Sequence, residues 1–81
     1  MTRAEVLDMV RRVLRTEFEL EPDALAEDAH LIDDLELDSV DAVALAVRLE
    51  EETGIALEEE ALKALRTVGD VVGAVHERLA P

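Results

Sequence analysis

No cysteine occurs in the chain, and neither tryptophan nor tyrosine. Without thiols there is no disulfide framework and no thiolate zinc site. Phe18 is the one aromatic residue, so Leu, Val, Ile and Ala must fill the interior, a composition that suits packed helices. With three glycines there is no Gly-rich phosphate loop. No apolar run approaches the ~20 residues that span a bilayer. The start, Met1-Thr2-Arg3-Ala4-Glu5-Val6, lacks the apolar stretch of a signal peptide. A cytoplasmic protein without membrane insertion is the expectation. Internal repeats, low-complexity tracts and strand alternation are missing too.

Basic residues are scarce, eight against twenty-one acids for a net charge of −13. Residues 1–20 balance four arginines against four acids, whereas residues 21–62 carry fifteen acids against Arg48 alone. One part of the molecule therefore holds the charge excess. Such a field repels nucleic acid and anionic membrane and steers basic protein surfaces inward. A solvated acidic face that aids solubility is the plainer reading of charge alone.

About half of the 81 residues are apolar, too many for a disordered chain. They make one domain, residues 1–81, with a core of marginal size. Thr2 and Glu5 have capping-box spacing. Val6, Met9, Val10, Val13 and Leu14 follow as one helical stripe, which fades near Thr16–Glu19, before Pro22. A long acidic segment, about Glu21 to Leu37, is expected to be mostly irregular, pinned by Leu25, Leu31, Ile32, Leu35 and Leu37. A loop this long in a small domain tends to be functional. Asp38 reads as the cap of a second helix, Ser39 to about Thr53, with Gly54 at its left-handed end. Ile55 and Leu57 anchor a short link. Glu58 to about Arg66 reads as a short third helix, and Thr67 caps a last one with Val68, Val71, Val72, Val75 and Leu79 inward. The fold class is all-α: a four-helix bundle with three longer helices, one short third helix and a long first loop.

The second helix carries two apolar stripes where a surface helix needs one. Ala42, Leu45, Ala46 and Leu49 form the larger side and are assigned to the core. Val40, Val43, Ala44 and Val47 lie opposite, beside Asp41, Glu50 and Glu51. If exposed, that strip is a docking surface; the alternative is a central helix buried on both sides. Ser39 stands at the first turn, where unpaired amides and the macrodipole favour a phosphate. As a nucleophile it would need a neighbouring base, and the two histidines, His30 and His76, read as solvent or packing residues. Ser39 is better read as a residue that another enzyme modifies, although an ordinary serine at a helix start fits the physics as well. The acids from Asp33 to Asp41 lack the EF-hand pattern, so no resident metal is expected.

The run Leu31-Ile32-Asp33-Asp34-Leu35-Glu36-Leu37-Asp38-Ser39-Val40-Asp41, with Leu45 and Leu49-Glu50-Glu51-Glu52 beyond it, resembles the acyl carrier protein family over nearly the whole chain. That resemblance implies that Ser39 accepts a covalent 4′-phosphopantetheine from coenzyme A, with Asp38 as helix cap and contact for the transferase and its magnesium. It implies a carrier rather than an enzyme, a monomer that holds acyl groups as thioesters. Its partners would be a phosphopantetheinyl transferase, then acyl transferases, ketosynthases or adenylating enzymes with basic docking patches. Val40, Asp41, Val43, Ala44, Val47, Arg48, Glu50 and Glu51 would meet those partners. Leu49, Ile55, Leu57, Ala61, Leu65 and Val72 would shelter the acyl chain.

The sequence departs from the family at points on those surfaces. Glu36 replaces a usual glycine, Val40 a usual leucine, and Ala44 and Arg48 stand where an acid and no arginine are common. The Phe and Pro often found around positions 53 and 57–58 are missing, the Gly54–Glu58 link is shorter, and the third helix is longer. A specialised carrier of polyketide, modified lipid or aminoacyl cargo fits as well as a housekeeping fatty-acid carrier. A stand-alone peptidyl or aminoacyl carrier protein and a non-catalytic carrier-like structural subunit are the remaining alternatives.

Overall fold

Two reciprocal capping boxes set the starts of the two longest helices. In the computed structural model, which describes residues 2–79 and the side chains of all of these except Pro22, Glu59, Glu60 and Lys63, α1 runs Arg3–Phe18. Thr2 Oγ1 accepts from the Glu5 amide at 3.2 Å, and the Thr2 amide donates to Glu5 Oε1 at 2.9 Å. The second contact holds the Glu5 carboxyl below its ordinary range. The stripe Val6, Met9, Val10, Val13, Leu14 is buried, as its spacing implies. A 3-10 turn, Pro22–Ala24, interrupts the following segment. Helix α2 is Ser39–Thr53, ended by Gly54 at φ 76°, whose amide bonds Glu50 O at 2.7 Å. Helix α3 is Glu59–Ala64 and α4 is Val68–Leu79. The described chain is all-helical, with three long helices. Helix α1 packs chiefly on α4 and then on α2, and α2 touches α3.

The long segment is better ordered than its composition implies. Residues 31–35 make a single helical turn closed at both ends. At its start the Nδ1 of His30 accepts from the amides of Ile32 and Asp33 at 3.3 and 3.1 Å, while the His30 amide donates to Asp34 Oδ2 at 2.7 Å. His30 is thus a cap, a role its isolated position in the sequence does not reveal. At the end of the turn the Glu36 amide bonds Ile32 O, the single bond of a left-handed helix stop, and the Leu37 amide reaches further back to Leu31 O. Leu31 and Leu35, four residues apart, face the core at 7% and 5% exposure. Ile32 is one helical step round from Leu31 and points to solvent, 63% exposed, so it does not pin the loop as its apolar character suggested. Leu25 and Leu37 are buried as expected.

Such a stop needs a left-handed residue, and here Glu36 supplies it at φ 57°. An L side chain in that region costs roughly 1–2 kcal/mol. Glu36→Gly removes this strain while adding freedom to the unfolded chain, so a net gain of about 0.5–1 kcal/mol is expected. Thermal unfolding should shift upward by roughly 4 °C; an unchanged or lower midpoint would show that the Glu36 side chain makes a compensating contact.

The third helix is shorter than expected, because residues 65–67 are drawn out to meet the loop. Leu65 is extended at φ −81°, ψ 126°. The Leu31 amide bonds Arg66 O at 2.8 Å, and His30 and Thr67 form an antiparallel bridge. The Val68 amide bonds Ala29 O and the Gly69 amide bonds Glu27 O at 2.8 Å. The last contact is close: a Cβ at position 69 would lie 3.1 Å from Glu27 O and press that carbonyl back by a few tenths of an ångström.

Thr67 Oγ1 accepts from the Asp70 amide, and Asp70 Oδ2 accepts from the amides of Arg66 and Thr67 at 3.0 and 3.1 Å. Those backbone bonds, first that from Arg66, hold the Asp70 carboxyl below its ordinary range. A depressed carboxyl stabilises the fold above the unfolded value of about 3.9 and loses that contribution as pH falls through the folded one. Asp70→Asn is therefore expected to lower the unfolding midpoint at neutral pH, with the gap to wild type closing below about pH 3.9. Paired thermal melts across pH check this, and a gap independent of pH would refute the charge's role.

Candidate functional site

The starts of α2 and α4 differ in one respect. All four leading amides of α4 have acceptors: Ala29 O, Glu27 O, Thr67 Oγ1 and Thr67 O. At α2, Asp38 Oδ1 takes the Asp41 amide at 2.9 Å and Asp38 O takes the Ala42 amide at 2.9 Å. The amides of Ser39 and Val40 find no acceptor among the described residues. Ser39 is exposed, and no hydrogen bond among the described residues engages its hydroxyl. An exposed hydroxyl at the positive end of a helix, beside two amides without an acceptor among the described residues, suits a phosphate ester.

Ser39 and Asp38 also stand at the mouth of a cavity of about 290 Å³. Its walls come from the 31–37 turn (Leu31, Ile32, Leu37), the first two turns of α2 (Ala42, Val43, Leu45), α3 and the residue after it (Leu62, Leu65), and Val71 of α4. Of the six residues expected to shelter an acyl chain, Leu65 lines this space. Leu49, Leu57 and Val72 are packed in the core at 1%, 8% and 0% exposure, and Ile55 and Ala61 are half-buried. Two lining residues were within reach of the sequence. Ala42 and Val43 follow Ser39 by three and four positions and so lie on its face of the helix. The contributions of the turn and of Val71 depend on tertiary pairing that no local spacing encodes.

The two faces of α2 divide as side-chain size suggests. Leu45, Ala46 and Leu49 are buried, while Val40, Val43 and Val47 are 74%, 52% and 49% exposed. Ala44 and Asp41 are half-buried; Glu50 and Glu51 are exposed. Asp41 is also occupied locally, its Oδ2 accepting from the Asp38 amide at 3.2 Å.

Arg48 is less available than the sequence implies. Its Nε lies 2.8 Å from Glu17 Oε1 of α1, off the line of the N–H bond, so that contact is an ion pair and not a directed hydrogen bond. Its Nη1 bonds Glu51 Oε2 at 2.9 Å, and Nη2 is 3.9 Å from Glu52 Oε1. Arg12 of α1 reaches Glu52 Oε2 at 2.8 Å. Arg48→Glu would set a further carboxylate among Glu17, Glu51 and Glu52, and a loss of about 1 kcal/mol in stability is expected after solvent screening. Urea titrations at low and high salt measure it; a loss that salt does not reduce would exclude repulsion as its cause.

Among the described residues no group of acids or histidines is arranged to hold a metal ion, and no helix is long and apolar enough to cross a membrane. The phosphopantetheine attachment site family matches residues 4–75 of the chain. Acyl carrier protein 2 of Ralstonia nicotianae is 45% identical over 80 residues, covering 99% of each chain. The acyl carrier protein of Phenylobacterium zucineum is 38% identical over 76 residues, 94% of this chain and 96% of that one. The meromycolate extension acyl carrier protein of Mycobacterium tuberculosis is 31% identical over 77 residues, covering 95% of this chain and 67% of its own length.

Proposed function

The chain belongs to the acyl carrier protein family, and on that premise we propose that Ser39 is the residue that receives the arm. The protein carries acyl groups on covalently bound 4′-phosphopantetheine. That group supplies the thiol the sequence lacks. What this chain contributes is placement. An exposed hydroxyl stands at the mouth of an apolar cavity, beside two amides that have no acceptor among the described residues, and this juxtaposition is the observation that carries the reading. Asp38 holds the helix start with Oδ1, and its second oxygen is the contact we assign to the transferase and its magnesium.

The exposed strip Val40, Val43, Val47, rimmed by Asp41, Glu50 and Glu51, is the face offered to the transferase and then to acyl transferases, ketosynthases or adenylating enzymes. Complementary charge on those partners would speed arrival more than it deepens affinity, which suits a shuttle that must leave as readily as it arrives. We read the protein as a cytoplasmic monomer of one domain. In it Glu59–Ala64 is the fourth member of a four-helix bundle, and chemistry on the cargo belongs to partner enzymes.

Incubation with coenzyme A, magnesium and a broad-specificity phosphopantetheinyl transferase, followed by intact-mass measurement, tests this. One phosphopantetheine per chain, mapped to the peptide containing Ser39, is expected. No gain, or a gain mapped elsewhere, overturns it.

A further inference from the structure

The 31–35 turn is capped by a side chain of the one type that ordinarily changes charge between about pH 5 and 8. The Nδ1 of His30 accepts from the Ile32 amide at 3.3 Å and from the Asp33 amide at 3.1 Å. A ring nitrogen accepts only while it carries no proton. The cap therefore exists in the neutral ring alone, with its hydrogen on Nε2. Serine and asparagine, common caps elsewhere, keep their acceptor oxygen throughout that range.

The surroundings offer the protonated ring a different partner. Asp33 Oδ2 lies 3.8 Å from Nδ1, on a side chain 78% exposed. Asp34 Oδ2 is taken by the His30 amide at 2.7 Å. Glu27 and Asp28 precede the ring in the chain, and Glu27 is paired with Arg3. The segment that bridges to His30 brings Arg66 and Asp70, whose carboxylate is committed to the amides of Arg66 and Thr67. Protonation at Nδ1 thus exchanges two backbone bonds for an exposed ion pair with Asp33, a poor replacement.

What the cap holds in place lies beside Ser39. Leu31 and Ile32 of the turn, and Leu37 just after it, form one wall of the cavity at whose mouth Ser39 stands. Resting, for its effect on loading, on the assignment of the arm to Ser39, we propose that His30 is a proton-operated latch on that wall. Neutral, it closes the turn. Protonated, it lets the 31–37 backbone open, and a transferase arriving at Ser39 must first re-form the turn.

The test follows amide hydrogen exchange of the unmodified chain by NMR from pH 5.5 to 8, each rate referred to its intrinsic value. The closed turn bonds the amides of Asp34, Leu35, Glu36 and Leu37. Their protection is expected to fall about fivefold toward the acid end, the worth of a typical cap, while protection within α1 stays constant. His30→Ser and His30→Asn should remove this dependence, and His76→Gln should keep it. Loading by the transferase is then compared as the ratio of wild type to His30→Ser, in which the transferase's own pH dependence cancels. That ratio should fall by a similar factor. Protection independent of pH, a dependence that survives both His30 variants, or one abolished by His76→Gln would overturn the latch. A flat loading ratio would overturn its link to Ser39. Loading mapped to another residue, with the exchange result intact, would count against the Ser39 assignment and leave the latch standing.

Discussion

Ser39→Ala is expected to abolish phosphopantetheine loading completely while leaving the fold as stable as before. The two halves of that expectation have separate causes. On the proposed assignment loading requires an oxygen at this one position, and the methyl of alanine cannot form the ester, so the mass gain should vanish rather than diminish. The fold does not depend on that oxygen. Among the described residues no hydrogen bond engages the hydroxyl, the side chain is exposed, and the helix start is held by Asp38 and Asp41. Alanine also has the better helix propensity. The unfolding free energy should stay within about 0.5 kcal/mol of wild type. A residual mass gain would place the attachment on another residue. A large loss of stability would mean that the hydroxyl has a structural role instead.

Leu25→Ala should have the largest effect on stability. Leu25 directly follows the 3-10 turn, yet it is 0% exposed and belongs to the same core cluster as Val6, Val10, Leu14 and Val72. Truncating a fully buried leucine removes its transfer free energy and leaves a void that a stiff aliphatic core fills poorly, typically about 3 kcal/mol. For a domain of this size that is a drop of more than ~10 °C in midpoint and a large share of total stability. Urea unfolding followed by circular dichroism measures it. A cost below about 1 kcal/mol would show that the segment can settle back onto the bundle and that its burial is not what holds it.

How much of this could be read from residues alone depends on whether local and distant signals agree. For α1 and α2 they do. Thr2 with Glu5, Asp38 with Asp41 and Gly54 mark the ends, and the larger apolar side chains mark the inner face, so both helices form where the pattern places them. Ile32 and the end of α3 differ because their conformation answers to partners elsewhere. Ile32 points outward because His30 and Glu36 close a helical turn around it. Arg66 and Thr67 leave helical geometry because Leu31 and His30 pair with them. Arg48 looks like a lone base on a partner-facing surface until Glu17, from another helix, is found beside it. The cavity was the least legible feature. Its walls come from four separate segments, and of the six side chains expected to shelter a chain Leu65 lines it.

One consequence of the pairing between the acidic segment and α4 concerns deletion. That segment supplies Ala29 O and Glu27 O to the first two amides of α4, so it serves as the far helix's missing upstream turn as well as a connection. Excising residues around 27–29 would strip those donors of their acceptors and loosen an element more than thirty positions downstream of the cut. Shortening this connection, for all its apparent slack, would therefore be felt at the opposite end of the chain.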